Sequence, residues 1–167
     1  MLSRAYSGLL AIAIIVGLST AVSRHTVEAV TSFKGETVTL DAAQRIIAAA
    51  LKKSAEMDVK MNVTVVDVGG NLKAFVRMDD AYLGSADISM KKAKTAVMFG
   101  FPSGVLGTMS QPGGELYGVE RSNGGLITFA GGLPLHNASG KLIGAIGVSG
   151  SSVANDEAVA EAGAAAL

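Results

Sequence analysis

Apolar residues recur at Ala43, Ile46, Ile47, Ala50, Leu51 and Met57, a spacing of threes and fours that lines them along one face of a helix. Thr39 or Asp41 is placed to cap its start, and Gln44 stands at capping-box distance from Asp41. Residues 61–68 then turn β-branched, Gly69-Gly70-Asn71 follows, and Leu72, Ala74, Val76 and Met78 alternate with Lys73, Phe75 and Arg77. Two strands joined by a tight hairpin are predicted, because Gly and Asn accept the positive φ that such a turn needs. Ser85 is placed to cap a second helix reaching about Phe99, with Asp87 in its first turn and Pro102 beyond its end. A short helical turn is expected at 105–109. The stretch 111–125 (QPGGELYGVERSNGG) reads as a long glycine-punctuated loop, packed through Leu116, Tyr117 and Val119. Short strands are expected at 126–130 and 133–137, around Gly131-Gly132. After an Asn137–Gly140 turn, 142–150 reads as a central strand, apolar at nearly every position. Its Gly144, Gly147 and Gly150 indicate that another backbone approaches it closely. Ser152 opens a last, Ala-rich helix with Asp156 and Glu157 in its first turn.

The first residues follow a different pattern. Arg4 precedes the unbroken apolar run LLAIAIIVGL at 9–18, and Ser19-Thr20-Ala21 follows it. Ten residues are half of the roughly 20 that a membrane span needs, and the flanks are those of a secretory signal. The expected organisation is a signal peptide or N-terminal apolar segment at 1–23, a linker at 24–38, and one folded domain at 39–167. Export to a periplasmic or extracellular location follows from that reading. A tether retained through residues 1–21, and a terminal helix buried in an oligomer, are the alternatives.

Composition narrows the chemistry. Fourteen basic residues balance 14 acidic ones, so no net charge favours nucleic acid. The absence of cysteine excludes disulfides, thiolate metal sites, a Cys nucleophile and thioether-linked haem. Only two histidines are present, His25 in the linker and His136 beside the Asn137 turn. Either reads as a solvated residue or as an axial haem ligand, since a neutral imidazole binds iron well. The glycine pairs fit neither a dinucleotide fingerprint nor a P-loop. Ser149-Gly150-Ser151-Ser152 stands at a strand-to-helix junction whose amides either hold an anion or cap the helix. In the helix SADISMKKAKTAVMF, Ile88, Lys92, Thr95 and Phe99 share a stripe, whereas Lys91 and Lys94 face solvent. A Lys within an apolar stripe needs a partner: either Asp67 or Asp79 within the fold, or a ligand carboxylate.

The ordered segments VTVVDVGGNLKAFVRMDDAYLGSADISMKKAKTAVMF, QPGGELYGVERSNGGLITFAGGLPL and GKLIGAIGVSGSSVANDEAVAEAGAAAL resemble the GlcG/HbpS-type haem-binding (haem-degrading) family over about residues 39–167. The resemblance implies an α/β fold, a three-layer profilin-like domain with a five-stranded antiparallel sheet flanked by helices. It also implies homo-oligomers, with exported haem binders that influence a sensor kinase among the members. Asp67, Gly70, Arg77, Lys92, Thr95, Asn123, Gly124, Gly131, Gly132 and Asp156 match the family pattern, most of them as fold-forming positions. No ligand histidine is shared across the family, so His25 and His136 are candidates from their chemistry alone.

The reading is an exported or tethered oligomeric domain that binds haem or a related tetrapyrrole as a sensing, storage or accessory protein. His25 or His136 would meet the metal, and Lys92 or a nearby Lys the propionates. Thr95, Asn123, Gly124, Gly131 and Gly132 would wall the macrocycle. No catalytic residue is assigned. A second reading is an enzyme acting on a small hydroxy acid or carboxylate, held by Arg77 or Lys92 with Asp67 or Asp79 as base. A third is an accessory subunit of a larger assembly, anchored to a membrane or partner by its N-terminal segment.

Overall fold

A computed structural model describes residues 36–167. The expected signal peptide and His25 lie outside the described residues. Helix α1 (Leu40–Glu56) begins where predicted, with the Thr39 hydroxyl accepting the Ala42 amide at 3.1 Å. It buries Ala43, Ile46, Ile47 and Ala50. Val38, just before it, is already buried and donates its amide to the Ile143 carbonyl. Strands β1 (Asn62–Asp67) and β2 (Leu72–Arg77) form the hairpin. Helix α2 (Gly84–Phe99) starts one residue before the expected cap, so Ser85 lies inside it and is buried. Gly100 ends it in the left-handed conformation, φ 73°, ahead of Pro102. Helix α3 (Ser103–Met109), a 3-10 turn (Val119–Arg121), β3 (Gly132–His136), β4 (Leu142–Ser149) and α4 (Val153–Ala164) complete the chain.

The strands pair antiparallel in the order β2-β1-β4-β3. Helices α1 and α4 pack on each other and on one face, and α2 crosses β1, β4 and β3 on the other. Alternation along the strands separates two cores. Val63, Val65, Ile146, Val148 and Leu135 meet Ile46, Ile47 and Val159 under α1 and α4. Val66 and Ala145 meet Ala93, Ala96 and Val97 under α2. The α2 face is narrow because Gly147 has no side chain: a β-carbon there would lie 2.0 Å from the Ser89 carbonyl oxygen.

Four strands are present, not the expected five. Residues 126–130 join no ladder, and Phe129 and Ala130 form a bend. Their backbone groups are satisfied by helix side chains instead: Ile127 donates to Thr95 Oγ1 at 3.1 Å, and Phe129 accepts from Ser103 Oγ at 2.8 Å. Gly107 of α3 presses against the Thr128 carbonyl, where a β-carbon would lie 1.9 Å away.

Candidate functional site

Lys92 lies at the centre of the α2 stripe and is 0% exposed. Its ammonium donates to Asp156 Oδ2 at 2.7 Å and to the Val148 carbonyl at 2.9 Å. It also stands 4.8 Å from the centre of the Phe129 ring. Its partner is therefore Asp156 of α4, not Asp67 or Asp79. Burial pushes its pKa down, and the ion pair with Asp156 opposes that shift. Asp156 Oδ1 accepts the amides of Gly150 and Ser151, each at 3.1 Å. The strand-to-helix junction considered as an anion site is thus filled by the chain's own carboxylate. Neighbouring Glu157 accepts the Gly131 amide. Burial raises its pKa above the usual value against that hydrogen bond, and nearby Glu161 adds to the rise.

Gly131 and Gly132 make this closure possible. At Gly131, φ 111°, a β-carbon would lie 2.6 Å from Lys92 Nζ, and at Gly132 it would lie 2.4 Å from the Lys92 carbonyl oxygen. Thr95 is buried too, donating to the Lys91 carbonyl and accepting from Ile127. These four residues knit α2, α4, β4 and the 126–132 segment together, and their polar groups are engaged within the fold.

An open cleft of about 270 Å³ lies between α2 and the hairpin. Val66 forms its floor, Gly70 and Leu72 one wall, and Met90, Lys91 and Lys94 the other. Leu72 is 58% exposed, and Gly70 takes φ 78° where the turn brings it beside Val97. Lys91 and Lys94 are half-buried rather than fully solvated, and they rim the apolar floor. Lys91 pairs with Asp87 at 2.7 Å, and Lys94 donates to the Asn123 carbonyl at 3.0 Å. Asn123 thus touches Lys94, but neither it nor Gly124, both exposed and at positive φ, lines the cleft, and both lie apart from Gly131, Gly132 and Thr95. The turn between the strands is held by Asp67, whose Oδ1 accepts the amides of Gly69 and Asn71 at 2.9 Å. Burial alone would raise its pKa, but the hydrogen bonds from Asn71 and Gly69 and the charge of Lys73 together outweigh it and hold the carboxyl low.

The remaining candidates lie elsewhere. His136 is exposed at the end of β3, on the edge of the sheet opposite β2. Arg77 and Asp79 line a larger cleft of about 410 Å³ with Lys60 and Asp80. Asp67 and Lys92, the other members of the acid–base reading, do not join them there. Among the described residues, no group of three or more His, Asp or Glu is placed to hold a metal ion, and no helix is long and apolar enough to cross a membrane. Leu72 and Met90 were not singled out as site residues from the sequence. Their signals were the glycine turn beside Leu72 and the Met90–Lys94 spacing of one helical turn.

One antiparallel sheet between two helical layers, with an open cleft between α2 and the hairpin, defines an α/β domain of the three-layer class. The family described as haem-degrading, HbpS-like, matches residues 38–165, and the chain belongs to it. An uncharacterised 15.0 kDa protein from the dhaT–dhaS intergenic region of Citrobacter freundii is 42% identical over 126 residues, 75% of this chain and 88% of that one. The corrinoid adenosyltransferase PduO of the same organism is 38% identical over 120 residues, 71% of this chain but only 36% of the enzyme. Among solved structures, ORFY of Klebsiella pneumoniae superposes with a TM-score of 0.78 at 39% identity, covering 81% of this chain and 94% of that one. A PduOC:haem complex superposes with a TM-score of 0.75 at 35% identity, covering 78% and 95%.

Proposed function

We propose that this chain is a binding module for haem or a related tetrapyrrole, seated in the cleft between α2 and the β1–β2 hairpin. The observation that carries the reading is the pairing of an apolar floor and wall, Val66 and Leu72, with the two lysines at the rim. A planar apolar ring bearing carboxylates matches that arrangement, because each ammonium has three N–H donors and makes one polar contact here. The PduOC:haem complex supports the choice of ligand class. At about 270 Å³ the cleft is just below the ~300–1,000 Å³ usual for small-molecule sites, so it takes one edge of a macrocycle and leaves the rest outside. A haem held there supplies one-electron iron chemistry, while the chain supplies the apolar surface and the charge. Export and homo-oligomer assembly belong to the same proposal. An intact mass short of residues 1–23, and sedimentation above the 16.9 kDa monomer, are the results expected.

Titration of the full chain with hemin, followed by absorption, tests the reading. Replacing both lysines (K91E/K94E) removes two exposed attractions of ~0.2–1 kcal/mol each and adds repulsion. Hemin affinity should fall by about tenfold or more, the equivalent of ~1.4 kcal/mol, with far-UV circular dichroism unchanged. Equal affinity in the two proteins would remove this cleft as the site.

A further inference from the structure

Asparagine before glycine is the pairing in which a side-chain amide carbon and the next backbone nitrogen meet with least obstruction. Glycine has no β-carbon to crowd the five-membered ring that joins them. Of the chain's five asparagines, Asn123 alone precedes glycine. It lies with Ser122 and Gly124 in an exposed turn outside every described helix and ladder. Its side chain makes one hydrogen bond among the described residues, Nδ2 donating to Ser122 Oγ at 2.9 Å, which leaves Cγ open to attack. The Gly124 amide makes no hydrogen bond to another described backbone group. The Lys94 ammonium holds the Asn123 carbonyl oxygen at 3.0 Å, draws electrons from that peptide bond and so acidifies the Gly124 N–H. One exposed turn bond, from the Gly125 amide to the Ser122 carbonyl at 2.8 Å, restrains the local rotation that brings the nitrogen against Cγ. The other asparagines are held more firmly. Asn62 is buried in β1, Asn71 is clamped on Asp67, Asn137 Oδ1 accepts from Ser139 and Lys141, and Asn155 lies inside α4.

We infer that Asn123 is a self-modification site that places a new negative charge beside the lysine rim of the cleft. A base takes the Gly124 N–H proton, the nitrogen attacks Asn123 Cγ, and the Cγ–Nδ2 bond breaks as ammonia leaves, closing a cyclic imide. Water then opens the ring at either carbonyl, giving aspartate or its β-linked isomer, and is the only co-reactant. The product carboxylate belongs to the residue that Lys94 already touches. Lys91 lies beside Gly125, its Nζ 3.5 Å from where a β-carbon would be. The new charge therefore competes with an anionic ligand for the two ammonium groups. This consequence, unlike the modification itself, rests on the function proposed above.

The full chain is incubated for weeks in warm, mildly alkaline buffer and mapped by peptide mass spectrometry, with chain unfolded in guanidinium chloride as the reference. Asn123 should become about 1 Da heavier, as a mixture of the two isomers, ahead of Asn71 and Asn137. Lys94→Met should slow the conversion. Asn123→Asp, the fixed product, should keep the parent's far-UV circular dichroism and bind hemin about two- to fivefold more weakly. An Asn123 that stays intact while the unfolded chain converts, or that converts no faster than Asn137, overturns the site. A K94M rate equal to the parent's overturns the activating part of the lysine, and unchanged hemin affinity in N123D overturns the effect on the rim. A parent that binds no hemin removes the proposed function and leaves the mass result standing.

Discussion

Lys92 brings a charge into the interior, where it persists because Asp156 and the Val148 carbonyl together replace its hydration. The carboxylate is equally dependent: Oδ1 is held by two amides, and Oδ2 has the ammonium as its partner. Lys92→Met should therefore lower stability by ~3–5 kcal/mol, the usual cost of stranding one member of a buried pair. The double variant K92M/D156N should recover part of that loss, because asparagine still accepts the Gly150 and Ser151 amides without a charge. Urea unfolding of the four proteins in the cycle measures both effects. A cost below ~1 kcal/mol for K92M would place the pair with ordinary exposed salt bridges. The need for a partner was legible in the sequence, since a lysine interrupts an apolar stripe. Its identity was not: Asp156 is 64 residues away and looked like a first-turn helix acid.

At the scale of elements, the spacing between α2 and β4 is set by what β4 lacks. A β-carbon on Gly147 would meet Ser89 oxygen at 2.0 Å and Ala93 nitrogen at 2.5 Å, both backbone atoms that cannot rotate aside. Gly147→Ala should cost ~1–3 kcal/mol or more by forcing the helix outward. Gly84→Ala, at the start of α2 with nothing within 4 Å, should instead be neutral or stabilise by up to ~1 kcal/mol. Urea midpoints for the two variants decide the matter, and equal effects would contradict this account of the layer spacing. The glycines of β4 and the hairpin turn were readable because local chain geometry determines them. The absent fifth strand was not readable, because residues 126–130 have strand-like composition while their hydrogen-bond partners, Thr95 and Ser103, lie on distant helices. Position decides there, and composition does not reveal it.

The whole molecule separates its polar features into an inner group and an outer one. The matched positions Lys92, Thr95, Gly131, Gly132 and Asp156 close the structure around one buried ion pair. Lys91 and Lys94 lie outside it, at the rim of an apolar cleft formed by a hairpin and a helix, with Asn123 held to Lys94 by its carbonyl. The sequence pattern groups Lys92, Thr95, Gly131 and Gly132 with Asn123 and Gly124 in a single binding surface, because they share the same two segments, and leaves Lys91 and Lys94 to solvent. Only the fold divides them, one side of α2 facing β4 and the other facing the hairpin turn. The proposed function depends on the outer group. Amide spectra of isotope-labelled full chain, recorded with and without ferric hemin, locate the ligand directly because the paramagnetic iron broadens nearby resonances. Selective loss of signals from Gly70, Leu72, Met90 and Lys94, with His136 and Asn137 intact, is the predicted result; broadening centred on His136, or no residue-specific broadening, would contradict it.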